Sequence, residues 1–105
     1  MELLEDKMRV WVSSAAFVKP NSAVYVFYNR KKEAIYIGNS TNLEKTFSKY
    51  VETDFEGDEC KQKTQFYQRE FMENPKERQL QLIEEFQKET GNMPFCNAEI
   101  QIETR

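Results

Sequence analysis

The segment SAVYVFYNRKKEAIYIGNSTNLEKTFSKY, running from Ser22 to Tyr50, decides the fold. Ala23 to Tyr28 is a run of β-branched and aromatic residues and reads as a strand. Asn29 to Glu33 is a polar turn, and Ala34-Ile35-Tyr36-Ile37 is a second strand closed by Gly38. Two apolar strands joined by so short a turn form an antiparallel hairpin, and their near-continuous apolar character implies cover on both faces. Helix signals follow at once. Thr41 and Glu44 have capping-box spacing, and Leu43, Phe47 and Tyr50 share one helical face.

On the C-terminal side, Glu52, Asp54, Glu56, Asp58 and Glu59 make an acidic loop around Gly57, of the kind usually left to solvent. Thr64 to Met72 alternates with aromatics on both faces and is read as a strand in preference to a helix. Asn74-Pro75-Lys76-Glu77 starts a second helix, with Asn74 as cap, Pro75 in the first turn and Glu77 at the capping-box position. Leu80, Ile83 and Phe86 are its expected buried stripe, with Leu82 beside them; Gly91 is the expected C-cap and Pro94 the stop. Ile100 and Ile102 share one face of a short segment that could form an edge strand. On the N-terminal side, Lys19-Pro20-Asn21-Ser22 is a break. Before it, Met8, Val10 and Val12 alternate with Arg9 and Trp11, which allows a short strand, and Leu3 and Leu4 could belong to a frayed helix. The expected class is α+β: a small three-stranded antiparallel sheet flanked by helices, in the order β-β-α-β-α with short terminal additions. One domain covers residues 1–105, with its core in 17–97.

The chain has 105 residues, 39% hydrophobic and 31% charged, with three Gly and three Pro, a globular profile and not a disordered or fibrous one. No apolar run approaches the roughly 18 residues that cross a bilayer, so no membrane partner is expected. The acidic start, Met1-Glu2-Leu3-Leu4-Glu5-Asp6, is unlike a signal peptide, and a cytoplasmic location is expected. Cys60 and Cys96 permit one bridge; both are read as free thiols, with a single disulfide of the type found in hyperthermophile cytosol as the alternative. Histidine is absent, and two thiols alone do not build a tetrahedral zinc site, so no metal ligand set is expected. Net charge is −3, which weighs against nucleic-acid binding without abolishing it, because a basic face can exist on an acidic chain. Arg30, Lys31 and Lys32 are read as a solvated hairpin tip.

Ala23-Val24-Tyr25 and Tyr36-Ile37-Gly38, with eleven positions from tyrosine to tyrosine, resemble the two name motifs of the GIY-YIG nuclease family. That family includes homing endonucleases and the N-terminal nuclease domain of the bacterial excision-repair C subunit. Asn39-Ser40-Thr41-Asn42-Leu43 is similar to the family's run into its first helix, and Leu82-Ile83 followed by Pro94-Phe95-Cys96-Asn97 is similar to its end; together the likeness spans residues 17–97. The resemblance implies metal-assisted phosphodiester hydrolysis: a tyrosine helps activate water, a helix arginine stabilises phosphoryl charge, and a glutamate holds one divalent metal. Tyr25 and Tyr36 stand at the tyrosine positions. The arginine position, eight residues after Gly38, holds Thr46, and the glutamate position, three before Leu82, holds Gln79. Thr46 supplies no cation and Gln79 no carboxylate. Lys45 and Lys49 lie about 100° and 60° around the helix from Thr46, and Glu77 and Glu84 are out of register with Gln79.

The expectation is therefore a non-catalytic GIY-YIG-like binding module without a cofactor. Its cleft would be lined by Tyr25, Tyr36, Gly38, Asn39, Lys45, Lys49 and Asn97, and its partner would be a protein or DNA. The first alternative is a divergent DNA endonuclease using Mg2+ or Mn2+, with Lys45 or Lys49 replacing the arginine. The second is a structural or protein-interaction role carried by the acidic loop 52–59. In the plainest reading of each residue, the two tyrosines pack as strand residues, Asn97 satisfies backbone groups, Gly38 relieves crowding at a bend, and Thr46 and Gln79 are surface helix positions.

Overall fold

A computed structural model describes residues 3–97. The chain is α+β: a four-stranded antiparallel sheet with helices on both faces. Its strands are β1 (Arg9–Val10), β2 (Ala23–Tyr28), β3 (Ala34–Ser40) and β4 (Phe66–Phe71), in the order β1-β4-β2-β3. The helices are α1 (Trp11–Ser14), α2 (Leu43–Thr53) and α3 (Pro75–Thr90). The expected hairpin is present, with Val26 opposite Ile37 and Tyr25 opposite Gly38, and a bulge between Phe27 and Tyr28. The fourth strand is the addition to the expected three, two residues long and paired to β4 at Tyr67 and Phe66. The segment with Ile100 and Ile102 lies outside the described residues.

Every residue of β2 is buried because both faces are covered. On one face Tyr25 and Phe27 meet Leu43, Phe47 and Tyr50 of α2, together with Trp11, Phe55 and Tyr67. Trp11 sits 4.9 Å from Phe47 and 5.2 Å from Phe27, edge to face, a geometry that adds about 0.5–1.5 kcal/mol per pair beyond area burial. On the other face Val24, Val26 and Tyr28 meet Leu4 and Leu82. The short strand allowed by the alternation of Met8, Val10 and Val12 is present only as Arg9–Val10: the chain then turns into α1 at Trp11, which is buried, while Val12 is 89% exposed.

Helix boundaries depart from the expected caps in two places. Asn42, not Thr41, caps α2, its Oδ1 accepting from the Lys45 N–H at 3.1 Å. Asn74 precedes α3 as expected, with Pro75 in the first turn, but its side chain makes no capping bond. Gly91 ends α3 in the left-handed region, at φ 79°. The inward face of α3 is buried Pro75 and Leu82 with half-buried Gln79, Ile83 and Phe86, so the expected Ile83 and Phe86 do pack on the core while Leu80 is 58% exposed. A polar Gln79 in the middle of the stripe breaks the apolar period, and this is why the sequence pattern selects Leu80.

The acidic loop is an ordered element. Asp54, Phe55 and Glu56 take successive left-handed conformations, at φ 52°, 59° and 57°, before Gly57. Each such non-glycine residue costs about 1–2 kcal/mol. The turn drives Phe55 into the core against Trp11 and Tyr50, and burial of a phenylalanine, worth roughly 1.5–3 kcal/mol, offsets much of that cost.

Cys60 and Cys96 are bonded to each other, with Cα atoms 5.7 Å apart, which corrects the free-thiol expectation. The two cysteines are 36 positions apart, so nothing in their local sequence announces the pairing. Such a bond forms in oxidising compartments and in hyperthermophile cytosol. Among the described residues no helix is long and apolar enough to cross a membrane.

The N-terminal segment is held on β4 by polar anchors. Buried Gln68 bonds Leu4 N–H, Leu4 C=O, Asp6 C=O and the Tyr28 hydroxyl. The Asp6 carboxylate accepts from the Arg9 guanidinium at 3.0 Å and from the Arg69 guanidinium at 3.2 Å. Burial pushes the Asp6 carboxyl up, but these donors outweigh it and hold it below its ordinary value. A depressed carboxyl contributes stability above the unfolded pKa, near 4, and loses it as pH falls through the folded value. Asp6→Asn is expected to cost roughly 1–3 kcal/mol at pH 7, the worth of charge-assisted hydrogen bonds. Urea denaturation at pH 7 and pH 3 checks this. Equal losses at both pH values would contradict it.

Candidate functional site

Tyr25 and Tyr36, from adjacent strands of the hairpin, project to the α2 face with ring centroids 6.0 Å apart. Gly38 makes room for both: a Cβ there would lie 2.4 Å from Tyr25 Cζ and 2.7 Å from Tyr36 Cε2. The glycine therefore relieves side-chain crowding within the tyrosine pair, not crowding at a bend. The third member is Tyr50 of α2, whose hydroxyl is 3.5 Å from that of Tyr25. Tyr25 and Tyr50 are buried, and Tyr36 is partly exposed.

The cation of this cluster is Lys61, a residue the sequence reading passed over. It lies in a single 3-10 turn, Lys61–Lys63, and is only 8% exposed. Its Nζ sits 4.3 Å above the Tyr36 ring and donates to the Tyr50 hydroxyl at 3.3 Å. Asp58 Oδ2 is 3.9 Å away, while Asp58 Oδ1 accepts the backbone N–H groups of Cys60 and Lys61. A lysine beside a cysteine in a Lys-Gln-Lys run carries no sequence mark of burial; only the turn that returns it to the sheet does this.

The electrostatics keep the phenols neutral. Burial pushes the Tyr25 hydroxyl well above its ordinary value, with its tyrosine neighbours adding to the effect. Burial also raises Tyr36, opposed in part by the charge of Lys61. Burial pulls the Lys61 ammonium down, but Tyr36, Tyr50 and Asp58 outweigh it and hold the group above its ordinary value. The Tyr25 and Tyr36 phenols are thus held neutral beside the Lys61 ammonium.

The other expected positions disperse. Thr46 does not face a ligand: its hydroxyl is 2.6 Å from Ser40 Oγ. Gln79 is no surface residue, since its Nε2 donates to Ile37 C=O at 2.8 Å and its Oε1 accepts from Asn39 at 2.5 Å. This places Asn39 on the α3 side, away from Tyr36. Asn97 is buried at the outer edge of β3, where its Nδ2 donates to Ile37 C=O and its Oδ1 accepts Ile37 N–H at 2.7 Å. The amide thus replaces a missing strand neighbour. Lys45 and Lys49 are exposed on α2, with Lys49 paired to Glu56 at 3.3 Å. The seven expected cleft residues do not converge on one cleft; Tyr25, Tyr36 and Gly38 do come together, with Tyr50 and Lys61.

A divalent metal does not fit the position the resemblance implies. The Gln79 amide oxygen is engaged by Asn39, and Glu77 and Glu84 stand on the exposed face of α3. Among the described residues no three His, Cys, Asp or Glu side chains are grouped to hold an ion. No protein-family model matches this sequence, and no curated protein matches it.

Proposed function

We propose that this chain is a non-catalytic binding module on a GIY-YIG-like scaffold, presenting the face around the partly exposed Tyr36 to its partner. The observation that carries this reading is the fate of the two positions where charge is required. Thr46 and Gln79 are both consumed by hydrogen bonds internal to the scaffold, to Ser40 and to Ile37 and Asn39. A transferring phosphoryl group needs compensating positive charge aimed at it, and neither residue supplies any. Tyr25, buried and held protonated, is a poor base for water.

Lys61 favours one second reading, the divergent nuclease, because it brings a cation against Tyr36 where Lys45 and Lys49 do not. Asp58 already compensates that charge, which weakens the reading. Incubation with nicked, branched and single-stranded DNA plus Mg2+ or Mn2+ separates the two. The expected result is no cleavage at any protein concentration. Cleavage that disappears in Tyr25→Phe or Lys61→Ala would overturn the non-catalytic reading.

A further inference from the structure

The two cysteines stand next to the two residues that close the tyrosine site. Lys61 follows Cys60 and covers Tyr36. Asn97 follows Cys96 and occupies both outward backbone groups of Ile37, the neighbour of Tyr36. We propose that the Cys60–Cys96 bond is a redox latch, whose reduction frees both segments together and uncovers Tyr36, Lys61 and the outer edge of β3 while the rest of the sheet stays folded. As regulation of the binding face this rests on the reading above; as a conformational change it stands without it.

The distribution of burial supports a local opening. The sheet is held by two apolar clusters built mainly on β2, β3, α2 and α3, with Trp11, Phe55, Tyr67 and the buried Cys96 in the first. The segment 58–63 contributes only half-buried Cys60 to them, and its remaining anchors are polar, including Gln62 Nε2 to Asp54 C=O at 3.0 Å. Segments with few apolar contacts open at a fraction of the global free energy.

The chemistry balances with a dithiol as reductant. Its thiolate attacks Cys60 Sγ, the more exposed sulfur, since Cys96 is 1% exposed. The Cys60–Cys96 bond breaks and Cys96 leaves with the electron pair as a thiolate, which takes a proton. The second thiol of the reductant then attacks the mixed disulfide, releases Cys60 and closes the reductant's own disulfide, so two electrons pass to the protein.

The test compares the full chain oxidised and reduced with dithiothreitol, reading amide exchange by NMR and acylation of Lys61 by mass spectrometry. On reduction the Ile37 amide should exchange at least about 100-fold faster, the scale on which local opening separates from global protection. Lys61 should acylate as fast as the exposed lysines, while the Val26 and Gln68 amides, lowered only by the global loss of stability, stay protected well above Ile37. Unchanged protection at Ile37 and Lys61 would reduce the bond to a passive staple and overturn the latch. Equal protection at Ile37, Val26 and Gln68 after reduction would overturn it too, because all three would then open only by global unfolding. Cys60→Ser/Cys96→Ser should be open without reductant and insensitive to it; if that variant does not fold, the reduced native chain decides. Partner binding is not read, so failure of the binding module and failure of the latch are told apart.

Discussion

Replacing both cysteines, as Cys60→Ser/Cys96→Ser, is expected to cost about 4 kcal/mol of unfolding free energy. The estimate follows from the 36-residue separation, because the bond removes the entropy of an open loop that long from the unfolded ensemble. A domain of this size has roughly 5–15 kcal/mol in total, so the loss is a large share of it. It should lower Tm by on the order of 20 °C. Thermal melts of the oxidised protein with and without reductant, beside the double variant, check the value. Two free thiols in the air-purified native protein, or a change below about 0.5 kcal/mol, would contradict the expectation. The folded double variant should still bury Phe47 and Leu82, because most of the residues packed in their clusters lie on the sheet and helices away from the bond.

Gly38→Ala is the second large effect, expected at roughly 2–3 kcal/mol of destabilisation. Its cause is overpacking and not backbone strain. The new methyl would lie 2.4 Å from Cζ and 2.6 Å from Oη of Tyr25, far inside van der Waals contact. Tyr25 cannot retreat, since Phe27 and Phe47 pack against it at 5.1 and 5.3 Å between centroids. Tyr36 blocks the other side at 2.7 Å. The expected signature is non-additive: Gly38→Ala should cost clearly less in a Tyr25→Leu background, where the ring is gone. Denaturant titration of the four proteins in the cycle measures this. If Gly38→Ala is neutral alone, or costs the same in both backgrounds, the tyrosine pair is not what requires the glycine.

Both effects concern features of unequal legibility. The hairpin, α2, the strand through Tyr67 and α3 could be read because each carries a local signal, such as β-branched runs, an i, i+4, i+7 apolar face or a Pro–Gly pair of helix ends. Trp11 escaped because the alternation around it fits a strand, and its burial comes from a turn into α1 that the alternation hides. Leu80 was favoured over Gln79 for a related reason. The stripe of α3 is continuous only once Gln79 counts as an inward-facing residue, and it sits half-buried there because Ile37 C=O and Asn39 satisfy its amide. Asn97 could be singled out as a terminal-turn asparagine but not assigned to Ile37, sixty positions away.

The sequence by itself determined the antiparallel hairpin from Ala23 to Ser40, the two long helices and the absence of charge at positions 46 and 79, because these depend on side-chain type and on spacing within one element. Tertiary structure alone decided the partners. It joined Cys60 to Cys96, seated Lys61 over Tyr36, and set Asn97 against the open edge of β3. Each of these contacts closes a loop of 25 to 60 residues, and its geometry is fixed by the packing of the two clusters on the sheet, which no local pattern encodes.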